Sequence, residues 1–393
     1  MLNPGSLPAL QRAIADAGVD GWLLFDFRGT NPVSCGALGL RGMVSRRIFA
    51  WVPRSGLPTA VTHNIEQGPW RDWPADWKKV RYSTWQQLEA EVGALVKGKR
   101  VAMEYSPGGA VPYVDYIPGG MLEMVRAAGA TVVCSGEIVT RFYATWTTPQ
   151  MAAHVRAADL VGAVAREAFT AAGARLATGE QVMEHEVQAF VMDRFAELRL
   201  EFDHDPIVAA GANAADPHYA PSEKRPRALQ KGELLLIDLW AKEPEGIYAD
   251  QTWMAALGAP SARALEVWTA VRDARDAAIA RLLELVAGGK PIRGGEIDDA
   301  ARGVITKRGF GEYFTHRTGH SIDARQLHGA GPNIDNFETR EERLLVPGVG
   351  FSIEPGIYIA GEIGVRSEVN AFLDLEGKVT ITPREIQREL MVV

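Results

Sequence analysis

The stretch that most constrains this chain is Glu233–Trp253, ELLLIDLWAKEPEGIYADQTW. Leu234–Ile237 is one apolar run and Gly246–Trp253 another, and Ala241–Glu245 between them carries Pro244 and charge. Apolar runs separated by a proline-containing polar turn read as paired strands. Each run holds an aspartate where a strand interior favours an apolar residue, Asp238 in the first and Asp250 in the second. A carboxylate inside a sheet is costly unless a donor or cation meets it. Two on neighbouring strands repel unless positive charge lies between them. A metal ion is the cation this pattern asks for. Aspartates beside turns are also commonplace, so the hairpin by itself is compatible with a structural role; the residues that follow shift the balance.

The chain has 393 residues, a formal net charge of −7 and 23% charged residues, which suits a globular protein long enough for two domains. It has no basic stripe of the kind that binds nucleic acid, and no apolar run approaches a membrane span. The N-terminus lacks a basic region followed by a hydrophobic stretch, so no secretory signal is expected. Cys35 and Cys134 are the only cysteines. Two distant thiols make no disulfide framework and fit a reducing cytoplasm, each reading as a small core residue.

Residues 1–147 alternate helix-like and strand-like segments, which predicts an α/β domain. Strands are expected at Gly21–Phe27, Arg47–Val52, Thr59–His63, Val80–Thr84, Val101–Tyr105 and Thr131–Cys134, and helices at Leu10–Ala17, Gln86–Lys97 and Met121–Ala128. No phosphate loop or dinucleotide fingerprint opens any of these helices. Thr148–Pro149 is a helix start, and the domain boundary is placed there. From residue 148 to 393 the order helix, helix, strands occurs twice. Helices are expected near Gln150–Ala172, Gln181–Leu198, Ser261–Ala287 and Glu296–Lys307, with Gly173 ending the first and Thr178 and Gln181 forming a capping box for the second. A site between two such halves would draw ligands from both. His63, His154 and His185 stand alone and read as packed or surface residues.

Five of the eight histidines fall between positions 204 and 328. His218 follows a strand-like segment and a loop of small residues, His316 and His320 flank a turn in HRTGH, and His328 lies in QLHGAGP. Phe351–Ile359 reads as a strand with Glu354 in its interior, and Gly364–Phe372 as a strand with Arg366 and Glu368 on one face. Asp238, Asp250, Glu354 and Glu368 with one imidazole form a hard, oxygen-rich ligand set that suits Mn²⁺, Co²⁺ or Zn²⁺. Four carboxylates are too many for one divalent ion. They suit two, about 3.5–4 Å apart, that activate a shared water. No Ser-His-Asp arrangement competes, because Ser352 has no nucleophile elbow around it.

The ordered signature PHY, ID…GIYADQT, TGH, SIEPGIY and VRSE resembles that of the pita-bread metallopeptidases: prolidases, Xaa-Pro aminopeptidases and methionine aminopeptidases, with creatinase as a relative. The resemblance runs from about Pro149 to the end. It implies an α+β catalytic domain with pseudo-twofold halves, behind a creatinase-N-like α/β domain. It implies Asp238, Asp250, His320, Glu354 and Glu368 as ligands of two divalent ions, manganese first, with Asp250 and Glu368 bridging. It further implies His218 and His328 as catalytic residues, one near the scissile bond and the other steadying the tetrahedral intermediate, with Glu354 shuttling the proton. His218, His316, Tyr358 and Arg366 are implied as substrate contacts. The N-terminal half and Arg366, two before the last glutamate, look like the proline-specific branch. The implied reaction is hydrolysis of Xaa-Pro dipeptides by a metal-bridging hydroxide, in a cytoplasmic homodimer that acts on small peptides with proline second.

The alternative is an aminopeptidase acting on longer Xaa-Pro peptides; a non-catalytic protein or a metal-free creatinase-like amidinohydrolase fits the retained ligand set less well. A dipeptidase must hold the free proline carboxylate, and His204, His316, Arg366 or a residue of Asn333–Arg343 is a candidate for that task. The chain departs from the family pattern in three places. The interval from Asp238 to Asp250 is twelve and that from His320 to His328 is eight, each one longer than usual, and Gly329 stands where an acid is usual. A slip after His320 would re-aim the ring of His328. The segment Asn333–Arg343 reads as a solvated charged loop, with contact to a substrate terminus as its functional alternative.

Overall fold

The computed structural model describes residues 1–42 and 44–393. The chain divides into two units, Met1–Ala144 and Thr145–Val393. The first holds a six-stranded mixed sheet. Its strand order is Lys78–Tyr82, Thr59–His63, Ile48–Pro53, Gly21–Asp26, Arg100–Met103 and Thr131–Cys134. The helix Pro32–Leu38, unexpected from the sequence, is started by Asn31, whose side chain accepts from the Ser34 backbone amide. Glu104 is fully buried here and accepts from Trp22 Nε1, Asn31 Nδ2, Ser34 Oγ and Ser135 Oγ. These four bonds tie the sheet to the segments around it, and burial still holds the carboxyl above its usual range.

The second unit repeats one plan. The helices Thr148–Ala177 and Glu184–Glu197 precede a four-stranded sheet containing Ile207–Ala210, Leu234–Ala241 and Ala249–Ala256, with Met391–Val392 added in parallel at its edge. The helices Ala262–Ala287 and Gly294–Lys307 precede a second four-stranded sheet, of Ser321–Ile322, Gly350–Ile353, Val369–Leu373 and Val379–Thr382. Thr147 caps the first helix with a reciprocal box to Gln150, and Ser261 caps the third. Two expectations fail at the first helix pair. Gly173 does not end the first helix, because its bare Cα faces Val393, which a Cβ would meet at 2.6 Å. The helix therefore runs on to Ala177, Thr178 sits at its C-terminus, and no Thr178–Gln181 capping box forms.

The strand Leu234–Ala241 is buried on both faces, and its period of two sorts residues between two cores. Leu235, Ile237 and Leu239 pack with Val161, Phe169 and Phe195 of the first helix pair. Leu234 and Leu236 pack with Trp268, Ile297 and Phe351 of the second half. Asp238 lies on that second face. Its register partner is Thr252, and Asp250 pairs with Trp240, so both aspartates and Thr252 point the same way as diagonal and direct cross-strand neighbours. The two sheets meet there. Asn370 Oδ1 accepts from the Asp250 amide at 2.9 Å, its Nδ2 donates to the Asp250 carbonyl at 2.7 Å, and the Glu368 amide donates to the Thr252 carbonyl at 3.2 Å.

Two long strands expected in the second half are each broken. Phe351–Ile359 divides into Gly350–Ile353 and Gly356–Ile359, which belong to different sheets, with Glu354–Pro355 at the break. Pro355 has no amide to give a ladder, so the chain turns where the sequence pattern reads through. Gly364–Phe372 divides after Arg366, and Glu368 lies just before the strand Val369–Leu373. Arg366 and Glu368 therefore do not share a strand face. Two of the four acids stand within strands and two at breaks between sheets. No helix among the described residues is long and apolar enough to cross a membrane.

Candidate active site

Asp238, Asp250, His320 and Glu368 are all nearly inaccessible, and Glu354 is half-buried. Ligand atoms of Asp250, His320 and Glu368 lie within 4.8 Å of one another. His320 Nε2 is 3.3 Å from Asp250 Oδ2 and 3.6 Å from Glu354 Oε1. The other ring nitrogen, Nδ1, lies 3.0 Å from the Ser321 carbonyl, which fixes a proton there and leaves Nε2 as the coordinating nitrogen. Gly319 makes this approach possible, since a Cβ would lie 2.0 Å from the Ser352 carbonyl oxygen. The Glu354 amide donates to the Thr318 carbonyl at 2.7 Å, so the break in the strand is itself pinned beside His320.

The electrostatics of this cluster call for a cation. Burial raises the carboxyl groups of Asp250 and Glu368 well above their ordinary values, and their acidic neighbours raise them further. Burial also raises Asp238, against the opposing pull of Arg366, and lifts Glu354 to about 7. Among the described residues, Asp238 Oδ1 and Glu368 Oε1 are buried oxygens with no hydrogen-bond partner. A bare buried carboxylate oxygen is expensive, and a divalent cation satisfies it. Four carboxylates and one imidazole, with two oxygens unmet, fit a pair of divalent ions.

Arg366 threads this set together. Its guanidinium pairs with Asp238 Oδ2, donates to Thr252 Oγ1 at 2.8 Å and donates to the Tyr358 hydroxyl at 3.0 Å. Thr252 Oγ1 in turn donates to Glu368 Oε2 at 2.9 Å. With its oxygen accepting from Arg366, Tyr358 directs its proton to His316 Nε2 at 2.8 Å, and His316 Nδ1 donates to the Arg317 carbonyl at 2.6 Å. Both ring nitrogens of His316 are thus engaged, and burial followed by the charge of Arg366 holds its imidazole down at about 3. This neutral, saturated ring braces Tyr358. The ring nitrogens of His316 thus leave no donor for a proline carboxylate, and His204, also considered for that role, has a largely exposed side chain.

The ring of His328 packs against that of His320 at a tilt of 55°, with centroids 4.1 Å apart. The longer His320–His328 interval is absorbed by the Asp323 carboxylate, which accepts from the Arg325 and Gln326 amides, and by a Gly329 amide bond to the Ser321 carbonyl at 2.6 Å. Gly329 sits where an acid was expected because its Cα packs against Asp323 and Ser321. His218 is exposed on its loop.

The Asn333–Arg343 segment is solvated only in part. Asn333, Ile334, Asp335, Glu341 and Arg343 are buried, and Asn336, Phe337, Glu338, Arg340 and Glu342 are exposed. Asp298 accepts from the Asn336 amide at 3.1 Å, and Glu338 Oε1 accepts from the Arg317 amide at 2.8 Å. Arg302 lies between the rings of Phe314 and Phe337, 4.1 Å from each centroid. Of its charges, Glu341 and Arg343 pair inside the fold, whereas Arg340 and Glu342 stay in solvent. Thr252, Asn370 and Arg317 were not singled out from the sequence. Thr252 is recognisable only through its cross-strand register with Asp238, and Arg317 through a guanidinium that is nearly buried beside the site histidines.

Comparison with known proteins agrees with this geometry. The chain is 38% identical over 180 residues to an Xaa-Pro dipeptidase of Lactobacillus helveticus, a match covering 45% of this chain and 44% of that protein. It thus spans about half the length of the Lactobacillus relatives it matches. It is 26% identical over 392 residues to the probable dipeptidase PepE of Mycobacterium bovis, covering 97% of this chain and 94% of the other. The crystal structure of dipeptidase PepE from Mycobacterium ulcerans superposes with a TM-score of 0.75 at 24% identity, over 99% of this chain and 97% of that one, and shares its fold. The model of metallopeptidase family M24 matches residues 154–373, more than half of the chain and the whole span from which the clustered acids and histidines come. With its pita-bread fold and its buried, cation-seeking carboxylates, this chain belongs to metallopeptidase family M24.

Proposed function

We propose that the chain hydrolyses the bond between a residue and proline in small peptides, with the dipeptide Xaa-Pro as its first substrate. The observation that carries the reading is the buried cluster of Asp250, His320 and Glu368, with Glu354 Oε1 3.6 Å from the His320 ring and one oxygen each of Asp238 and Glu368 unmet. The name of the Lactobacillus relatives supports the choice of substrate. Two divalent cations held by these five residues, manganese first, supply a water of lowered pKa and a polarised carbonyl.

The chain's own residues do the rest. Glu354, lifted towards neutrality and steadied by Ser352 Oγ at 3.1 Å, takes the proton of the attacking water and passes it to the proline nitrogen as the bond breaks. His328, against His320, donates to the carbonyl oxygen as negative charge develops there. His218 meets the substrate from the exposed side. Arg366 neutralises Asp238 and, with Thr252, Tyr358 and His316, keeps the acids aimed inward. A homodimer and a cytoplasmic address, the latter resting on a sequence with only two, widely separated cysteines, belong to the same reading.

The test is turnover of the metal-loaded protein on Ala-Pro and Ala-Pro-Ala. Cleavage of Ala-Pro with little cleavage of the tripeptide is expected. Stronger cleavage of the tripeptide would make the enzyme an aminopeptidase, and inertness towards both with full metal occupancy would refute the reading.

A further inference from the structure

The helix Glu184–Glu197 begins with an acid that the chemistry above does not use. Glu184 is 1% exposed. Its carboxylate accepts from the Ala210 amide at 2.7 Å, from Asn213 Nδ2 at 3.2 and 3.1 Å, and from the Tyr219 hydroxyl at 2.7 Å. These donors stand at the start, the middle and the end of one segment, Ala210–Tyr219, which carries His218. A core that needed only to be filled would place an apolar residue here, because a buried acid is costly without donors. Here the donors come from the histidine loop. Charge-assisted bonds of this kind are the stiffer ones.

The opposite side of the loop is clamped as well. The Ala214 carbonyl presses on Gly364, where a Cβ would lie 1.7 Å from its oxygen. Gly364 belongs to the strand Ile363–Arg366, which ends on the arginine that pairs with Asp238. The loop is thus held between an acid at a helix start and the strand that orders the site acids. The second half uses the same device. Asp298, on the helix Gly294–Lys307 and fully buried, accepts from the Thr318 amide at 3.0 Å and from its hydroxyl at 2.6 Å, between His316 and His320.

We infer that Glu184 is a positioning residue that sets where the His218 imidazole stands relative to the reacting bond, acting through Asn213 and Tyr219. The inference rests on His218 meeting substrate in the reaction proposed above. A displacement of about 1 Å at a group that touches substrate costs up to about a hundredfold in rate.

The experiment uses the full chain loaded with Mn²⁺. It compares Glu184→Gln, Tyr219→Phe, His218→Ala and the double variant Glu184→Gln/His218→Ala on Ala-Pro, with metal content and amide hydrogen exchange of residues 210–219 measured in parallel. Glu184→Gln should lower kcat about tenfold at unchanged metal content and speed exchange in that loop. Tyr219→Phe, which removes one hydroxyl, should do the same more weakly. In the His218→Ala background, Glu184→Gln should change kcat less than twofold. Multiplying effects in the double variant, or unchanged exchange with unchanged kcat in both Glu184→Gln and Tyr219→Phe, would overturn the inference. A parent protein inert towards Ala-Pro and Ala-Pro-Ala would refute the hydrolysis reading instead, while loop exchange would still decide whether Glu184 pins the loop.

Discussion

Removing the guanidinium of Arg366 tests the charge balance of the site most directly. Arg366 and Asp238 have side chains 4% and 11% exposed, so they form a buried pair, and the arginine also serves Thr252 and Tyr358. Deleting one partner of such a pair leaves an uncompensated buried charge and costs about 3–5 kcal/mol. For a folding unit of this size that is roughly 6–20 °C in Tm. Arg366→Met should therefore lower the Tm of chelator-treated protein at pH 7 by an amount in that range. Arg366→Lys should lower it less, since the ammonium keeps a positive charge beside Asp238 although it lacks the fork that reaches Thr252 and Tyr358. Bound divalent ions give Asp238 a second source of positive charge. The same substitution in metal-loaded protein should then cost less than half as much. Scanning calorimetry of the parent and both variants, with and without Mn²⁺, measures all of these quantities. Equal losses in the two metal states, or a loss under about 1 kcal/mol without metal, would show that Asp238 is not held charged and waiting for cations.

Other outcomes follow from the same geometry. Asp250→Asn should lower bound metal below two per chain and nearly abolish turnover, as read by elemental analysis beside an Ala-Pro assay; retained activity would argue against a paired site. His218→Ala should cut kcat while leaving metal content intact, which separates its role from that of His320. In metal-free protein, burial holds Glu354 up at about 7, so the folded chain keeps a proton that the unfolded chain releases near pH 4.5. That contribution to stability is present below pH 4.5 and is lost as pH rises through 7. Unfolding free energies of the parent and Glu354→Gln should diverge across this window without metal and not with it. His154 is buried between Tyr248 O and Thr382 Oγ1, and burial holds its imidazole down at about 4. Because the unfolded chain takes up that proton near pH 6.5, stability should fall as pH drops from 6.5 towards 4, and His154→Gln should flatten the fall in denaturant melts.

The sequence by itself determined the hairpin, its two misplaced aspartates and the order of the later acids and histidines. The reason is local: a period of two marks a strand, and a carboxylate within it breaks the pattern visibly. The helix pairs were legible for the same reason, through signals such as the Thr148–Pro149 start, although the structure places the cap itself on Thr147. Tertiary structure alone decided what depends on groups far apart in the chain. Gly173 looks like a helix stop until Val393 fills the space beside it. Glu354 looks like a strand residue until Pro355 sends the chain into another sheet. Glu341 and Arg343 look as solvated as their neighbours Arg340 and Glu342 until folding buries them as a pair. His316 looks like a lone imidazole beside a turn until Tyr358 and a backbone carbonyl engage both nitrogens. Spacing reports what a residue can do, whereas its partners, brought together by packing across more than a hundred positions, leave it only some of those options.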